Sequence, residues 1–424
     1  MSMFSTLGKA WQIPDIRKKM IFTLLMLIVF RLGSNIPVPG IDREVLAQAF
    51  TGQGIFELFN LFSGGAFQNF TIFALSITPY ITASIIMNLL TIAIPYLENL
   101  AREGTEGRKK MAQITRYLTV ILALIQAIGF SLGIFRNALK SFDFLSVALV
   151  IITLTAGTAF LMWLGEQINE YGIGNGISLI IFGGIIARAP IAIGQAFTSY
   201  SAGEINIISI ILFAIFAVLV IVGVIMVQQG QRRIPVQYAK RVVGRKMYGG
   251  QNTHIPIKVN QAGVIPVIFG LSILQFPLTL IYFFPNTGFA DFVQKWLSPN
   301  GDPGVWIYVF LYVVLIIFFN YFYTAITFNP VEVAENMRSN GGFVPGIRPG
   351  RPTIEYLSNV MMRIAFVGAI FLAIVAAMPL LLEQFTKLQI GFGGTSLLIA
   401  VGVALDTMKQ IENQMVMRNY KGFL

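Results

Sequence analysis

The sequence predicts an all-α polytopic membrane protein of ten transmembrane helices. Three observations carry that prediction. Of 424 residues, 55% are hydrophobic and 12% charged, with a mean hydropathy of +0.73; a soluble domain carries about 25% charged residues. At least eight apolar stretches approach the ~20 residues that cross a bilayer. Those runs are continuous rather than alternating, which argues against a β-barrel.

The predicted spans, in order, are Met20–Ile36, Phe70–Ile94, Thr115–Phe135, Phe144–Trp163 and Ile177–Phe197, then Ile205–Val227, Ala262–Phe284, Val305–Phe328, Val360–Leu382 and Gly394–Thr407. The first begins after Arg17, Lys18 and Lys19, as a signal peptide would. No small-residue cleavage site follows, and Pro37, Pro39 and Gly40 end the run, so it reads as a retained helix. With ten spans both termini lie on one side. That side collects 22 of the 30 Lys and Arg residues, against 6 on the other. The asymmetry makes the basic side, with both termini, cytoplasmic.

Between the first two spans lies FNLFSGGAFQNF (59–70), oily yet interrupted by Ser63, Gly64, Gly65, Gln68 and Asn69. A single helix from Ile55 to Leu90 would be about 50 Å long at ~1.5 Å per residue, too long for a ~30 Å core. Residues 55–68 therefore form a separate short segment on the outer side. It is either re-entrant, in which case it implies a water-filled or protein-lined cavity, or an amphipathic helix lying flat at the interface.

Several chemistries have no residues to support them. There is no cysteine, and the single histidine, His254, sits in a hydrophilic stretch without neighbouring ligands. No GxxxxGK[ST] phosphate loop occurs, so no cofactor or nucleotide site is expected. GIGNGIS (172–178) lacks dinucleotide spacing and reads as a flexible start to the fifth span. Ionisable residues within or at the ends of spans are few: Arg31, Arg363 and Asp406. Coupled transporters usually carry charged relays at mid-membrane, so a secondary transporter with one broken helix is the weaker alternative.

The cytoplasmic chemistry is concentrated in two loops, at about 229–260 and 329–357. The first carries Arg232, Arg233, Lys240, Arg241, Arg245 and Lys246. The second holds Arg348 and Arg351 among Pro345, Pro349 and Pro352, whose fixed φ lowers the entropy lost on docking. Such charges serve as orientation signals, and they also suit an anionic partner such as ribosomal RNA or an acidic protein surface.

Motifs along nearly the whole chain resemble the SecY family, the channel subunits of bacterial protein translocation. They include FRLGSNIPVPGID (30–42), PYITASIIMNLL (79–90), FLMWLGEQINEYGIGNGIS (160–178), GQRRIPVQYAKR (230–241), HIPIKVNQAGVIPVIF (254–269), FNPVEVAENMRSNGGFVPGIRPG (328–350) and GGTSLLI (393–399). The resemblance implies two inverted, pseudo-symmetric halves, 1–200 and 201–424, hinged between the fifth and sixth helices. It makes the broken segment a re-entrant plug helix, centred on Phe59, Asn60, Leu61, Phe62, Ser63, Gly64, Gly65, Ala66 and Phe67. It places Ile77, Ile81, Ile177, Ile181, Ile268 and Ile399 in an aliphatic pore ring. Ile77 with Ile81, and Ile177 with Ile181, are four apart and share a helix face, a spacing that also suits lipid or core contacts. Where relatives often carry Gly and Met beside the first of these positions, this chain has Ser76 and Thr78.

The family's lateral gate lies between helices two and three on one side and seven and eight on the other. Asn88, Gln126, Ser272 and Gln275 are uncharged polar residues in those helices. Either some face one another across the gate, or they bond to their own helices or face the pore. The resemblance further implies a non-enzymatic channel for signal-bearing polypeptides that releases hydrophobic segments sideways into lipid. Its implied partners are the SecE and SecG subunits, the SecA ATPase and the ribosome, and its implied location is the bacterial plasma membrane. The basic residues of the two cytoplasmic loops are the docking candidates.

Overall fold

The computed structural model describes residues 3–42, 63–133, 138–139, 142–203, 207–238, 241–243, 246–248, 252–281, 287–299, 303–386 and 394–421. The chain begins with α1 (Met3–Gln12) and α2 (Pro14–Gly33), followed by α3 (Thr78–Ala93), α4 (Pro95–Arg102), α5 (Thr105–Leu132), α6 (Phe144–Tyr171), α7 (Gly176–Ser201) and α8 (Ile207–Gln229). Four strands come next: β1 (Gln231–Tyr238), β2 (Arg241–Val243), β3 (Lys246–Tyr248) and β4 (Asn252–Lys258). The remainder is α9 (Ile265–Leu280), α10 (Gly288–Trp296), α11 (Gly304–Thr327), α12 (Pro330–Ser339), β5 (Gly342–Phe343), α13 (Arg351–Thr386) and α14 (Gly394–Lys421).

Each of the ten predicted stretches overlaps one of these helices. Among the described residues, six helices are long and apolar enough to cross a membrane by length and composition. A seventh results if α3 and α4, bent by 102° at their junction, form one span. Pro95 opens α4 at that bend; proline fits a first helical turn but cannot continue a helix already running.

The second span starts later than its hydropathy suggests. Phe70–Ile77 is apolar but not helical, because Phe70 and Ser76 both take positive φ, +42° and +53°. Left-handed backbone at a side-chain-bearing residue breaks a right-handed helix. This segment instead follows the exit of α2. Val38 N–H donates to Phe70 O at 3.0 Å, and Ile72 N–H to Ile36 O at 3.0 Å. Thr78 and Pro79 then begin α3.

The GIGNGIS stretch is a cap rather than a ligand loop. Asn175 Oδ1 accepts from Ser178 N–H at 3.2 Å, and Asn169 Oδ1 from Gly176 N–H at 2.7 Å. These bonds satisfy amides that would otherwise be orphaned at the start of α7.

The two basic connections, expected as cytoplasmic loops, contain β-structure. β1 pairs antiparallel with β4, from Gln231 opposite Lys258 to Gln237 opposite Asn252. It also pairs with β5 through Gln237 and Tyr238. The sheet order is therefore β4-β1-β5. Ile234, Val236 and Ile257 are buried under the sheet with Met337, Val344 and Leu357.

Helices of the N-terminal and C-terminal portions meet along two seams. α3 and α5 pack against α9, and α1, α2 and α7 pack against α14.

Candidate functional site

The largest apolar cluster among the described residues draws on helices of both seams. Ile77 leads into α3, Ile81 is on α3, Ile181 on α7, Ile268 on α9 and Ile399 on α14. All five belong to one buried cluster, none more than 6% exposed, and Ile177 packs against it half-buried. Leu161, Leu164, Leu179, Leu271 and Leu398 fill in around them. Burying each such side chain is worth about 1.5–3 kcal/mol. Branched hydrocarbon at a constriction excludes water and therefore ions.

Beside this cluster runs the end of the interrupted segment. Phe59, Asn60, Leu61 and Phe62 lie outside the described residues; Ser63 to Phe67 are placed. Ser63 is fully buried, and its Oγ accepts from Phe67 N–H at 3.0 Å. Ala66 joins the same cluster as the isoleucines, and Phe67 stacks edge-on against Phe130 of α5 at 5.6 Å. Gly64 has φ +62°, and a Cβ there would lie 2.6 Å from Gly184 Cα on α7. Only glycine permits both that backbone conformation and that approach.

Arg31, near the end of α2, donates from Nη1 to Gly64 O at 2.9 Å. In the sequence Arg31 stands out as a rare charge in an apolar run, with no partner in view. Its rarity was the available signal.

The four polar residues named for the lateral gate fare differently. Asn88 on α3 donates from Nδ2 to Tyr323 Oη on α11 at 3.1 Å. Tyr323 also packs edge-on against Phe269 of α9, ring centres 5.3 Å apart. Ser272 bonds its own helix, Oγ to Ile268 O at 2.9 Å. Gln275 is 2% exposed, with neither amide atom hydrogen-bonded among the described residues, and Gln126 Oε1 is likewise buried without a partner there. Tyr323 escaped sequence reasoning because α11 is rich in aromatic residues and nothing local marks this one.

On the three-stranded sheet, Arg232 and Arg233 are exposed on β1. The backbones of Arg241 and Lys246 belong to the β2–β3 hairpin; Lys240 and Arg245 lie outside the described residues. Arg348 is exposed, and its carbonyl accepts from Thr353 Oγ1 at 2.9 Å. Arg351 pairs with Glu355 at 3.2 Å, both side chains largely in solvent, so that pair adds little stability. His254 is exposed on β4, opposite Pro235. Among the described residues no three metal-binding side chains gather.

Comparison with known proteins gives a family. A SecY family model matches residues 71–408. The protein translocase subunit SecY of Halalkalibacterium halodurans is 52% identical over 434 residues, covering 100% of both chains. In fold the chain is similar to a solved SecY whose plug domain is described as stabilising the closed state of the translocation channel (TM-score 0.68, 22% identity, 94% of this chain and 92% of that one). It is also similar to Sec61 in the canine ribosome–channel complex (TM-score 0.63, 20% identity, 94% and 93% covered). With most of its length matched by the family model and a full-length relative at 52% identity, this multi-pass membrane protein belongs to the SecY family, whose members are translocase channel subunits and not enzymes.

Proposed function

We propose that this chain forms a protein-conducting pore in the bacterial plasma membrane, with Ile77, Ile81, Ile177, Ile181, Ile268 and Ile399 as its neck. The observation that carries the reading is their convergence, from both portions of the chain, on one buried apolar cluster. A polypeptide in transit presents every side-chain type, so the neck offers none a specific polar partner. Branched aliphatic groups exclude water when the pore is empty and move aside without stranding hydrogen bonds.

Residues 59–67 act as the plug. Gly64 against Gly184 and the Arg31–Gly64 bond hold its end beside the neck. The ten helices form two inverted halves, 1–200 and 201–424, with both termini cytoplasmic. The seam of α3 and α5 with α9 and α11 is the lateral gate through which hydrophobic segments leave for lipid, and the Asn88–Tyr323 bond is one of its fastenings. In a membrane such a bond is worth ~0.6–2 kcal/mol, small enough for an entering apolar helix to displace.

Arg232, Arg233, Lys240, Arg241, Arg245, Lys246, Arg348 and Arg351 form the docking face for a ribosome or the SecA ATPase, and SecE and SecG complete the assembly. The test is ion conductance in planar bilayers. Ile81→Ser with Ile181→Ser, or deletion of 59–67, is expected to raise leak. Unchanged conductance in both would remove the neck and the plug from this assignment.

A further inference from the structure

The connection between α9 and α11 carries α10, a nine-residue helix that the neck, the gate bond and the basic sheet do not use. Its residues sort onto three faces. At ~100° per residue, Phe289, Phe292 and Trp296 fall within an arc of about 60°. All three are exposed, at 44%, 56% and 37%. Ala290 and Val293 fall on the next arc and share a buried cluster with Leu278 and Ile281 at the end of α9. Asp291, Gln294 and Lys295 occupy the third face and are exposed. Core and water account for two of these faces. Three neighbouring aromatic rings account for neither, since rings of that size carry a large apolar area that water does not favour.

The helix is fixed so that the aromatic face keeps its direction. Thr287 Oγ1 accepts from Ala290 N–H at 3.4 Å at the start of α10. Asp291 lies in the first turn and Lys295 in the last, each at the end where the helix dipole favours its charge. Lys295 Nζ stands 5.7 Å from the centre of the Trp296 ring, within reach of a cation–π contact. A Cβ at Gly304 would collide with Lys295 O, so the end of α10 is pressed against the first turn of α11.

That position selects lipid as the cover. α11 is one of the long apolar helices, and its exposed Trp306, Phe310, Val314 and Phe318 recur every four residues along one side, as on a span that faces acyl chains. Trp306 is two residues past Gly304, so Trp296 and Trp306 gather at the same end of α11. Phe276, exposed on α9, extends the apolar surface toward α10. Tryptophan beside a lysine whose ammonium reaches back to water is the chemistry of a bilayer interface.

We infer that α10 is an anchor seated in the outer membrane interface, with Phe289, Phe292 and Trp296 among acyl chains, Lys295 at the headgroups, and Asp291 and Gln294 in water. Ala290 and Val293 grip the end of α9, and Lys295 O meets Gly304 of α11, so one anchor sets the depth of two gate helices. The choice of leaflet rests on the orientation proposed for the pore; the seating in lipid does not.

The chain contains no cysteine, so single-cysteine variants of the full-length protein can each carry one nitroxide. Phe289→Cys, Phe292→Cys, Asp291→Cys and Gln294→Cys, all at exposed positions, are labelled and placed in vesicles of phosphatidylethanolamine and phosphatidylglycerol. Collision with oxygen, which concentrates among acyl chains, is compared with collision with a water-confined nickel chelate. The oxygen-to-nickel ratio is expected to be about fivefold higher at 289 and 292 than at 291 and 294, as for an apolar face sunk about 5–10 Å into the interface. Adding Phe292→Ser and Trp296→Ser should bring the label at 289 down to the ratio of the polar face, with an unchanged gel-filtration profile. Equal nickel access on both faces overturns the anchor, because the aromatic face is then wet. Low access to both reagents at 289 and 292 also overturns it, because protein then covers that face. An impermeant maleimide is expected to label Gln294→Cys in intact cells. Labelling only after lysis would overturn the leaflet and the pore orientation together, whereas the collision pattern tests the seating alone.

Discussion

At the proposed neck, Ile81 and Ile181 are 5% and 1% exposed inside a cluster of aliphatic and aromatic side chains contributed by several helices. On the sheet, Arg232 and Arg233 stand in solvent on backbone held by strand pairing, and in the turn after β5 Arg348 is exposed with its carbonyl held by a threonine hydroxyl. The proposed neck is defined by packed apolar side chains. The sheet is ordered by backbone pairing over a small apolar cluster and leaves Arg232 and Arg233 exposed on its outer side. Under the proposed function the difference separates two tasks: closing a hole to ions, and presenting charge to a partner. Each should therefore be damaged without harming the other.

The largest effect is expected at the neck. Ile81→Ser with Ile181→Ser should raise ion leak about a hundredfold, if each hydroxyl removes about 1.4 kcal/mol of barrier, while partner binding stays normal. Planar-bilayer conductance and a co-sedimentation assay would read the two separately. Next is Arg31→Gln, which keeps a hydrogen bond to Gly64 O but loses its charge. A deficit of about 1 kcal/mol should increase resting leak roughly fivefold, again by conductance. A leak equal to the parent's would mean that Arg31 does not restrain the plug.

Arg348→Glu is the converse experiment. Motor- or ribosome-driven transport into proteoliposomes should fall about threefold to fivefold, in line with a rim charge, with no change in leak. Should leak rise instead, the division between neck and sheet fails. A smaller effect is expected at the gate. Combining Asn88→Ala with Tyr323→Phe should show a coupling near ~0.6 kcal/mol, measured as the shift in signal-peptide concentration needed to open the channel. The smallest is Ser76→Gly, which should stabilise the folded protein by about 1 kcal/mol, because serine at φ +53° is strained where glycine is not. Thermal unfolding followed by gel filtration would detect it.

Most helices are legible in the sequence because an uninterrupted apolar run of membrane length is rarely anything but a span. α3 was misplaced at its start for a specific reason. Phe70 and Ser76 turn the chain through left-handed backbone inside an apolar run, and hydropathy does not register φ. The sheet was hidden differently. Ile234 and Val236 alternate with polar neighbours as a strand should, but Pro235 between them argues against a central strand. It is accommodated because β5 reaches only Gln237 and Tyr238, leaving that edge of β1 open at Pro235. Of the site, the isoleucines were readable only through resemblance, since spacing in so aliphatic a chain selects nothing. Tyr323 and the Gly64–Gly184 approach depend on distant segments meeting, and no local pattern encodes that.

The sharing of β1 between β4 and β5 yokes two connections that are separate in the chain. α8 enters the sheet directly through β1, α9 follows β4, and α13 follows β5. A load applied at the sheet is therefore delivered to three helix ends at once, as torque on a crank and not as a tug on a slack cord. Whatever pushes there need not touch the proposed pore to turn one side of it.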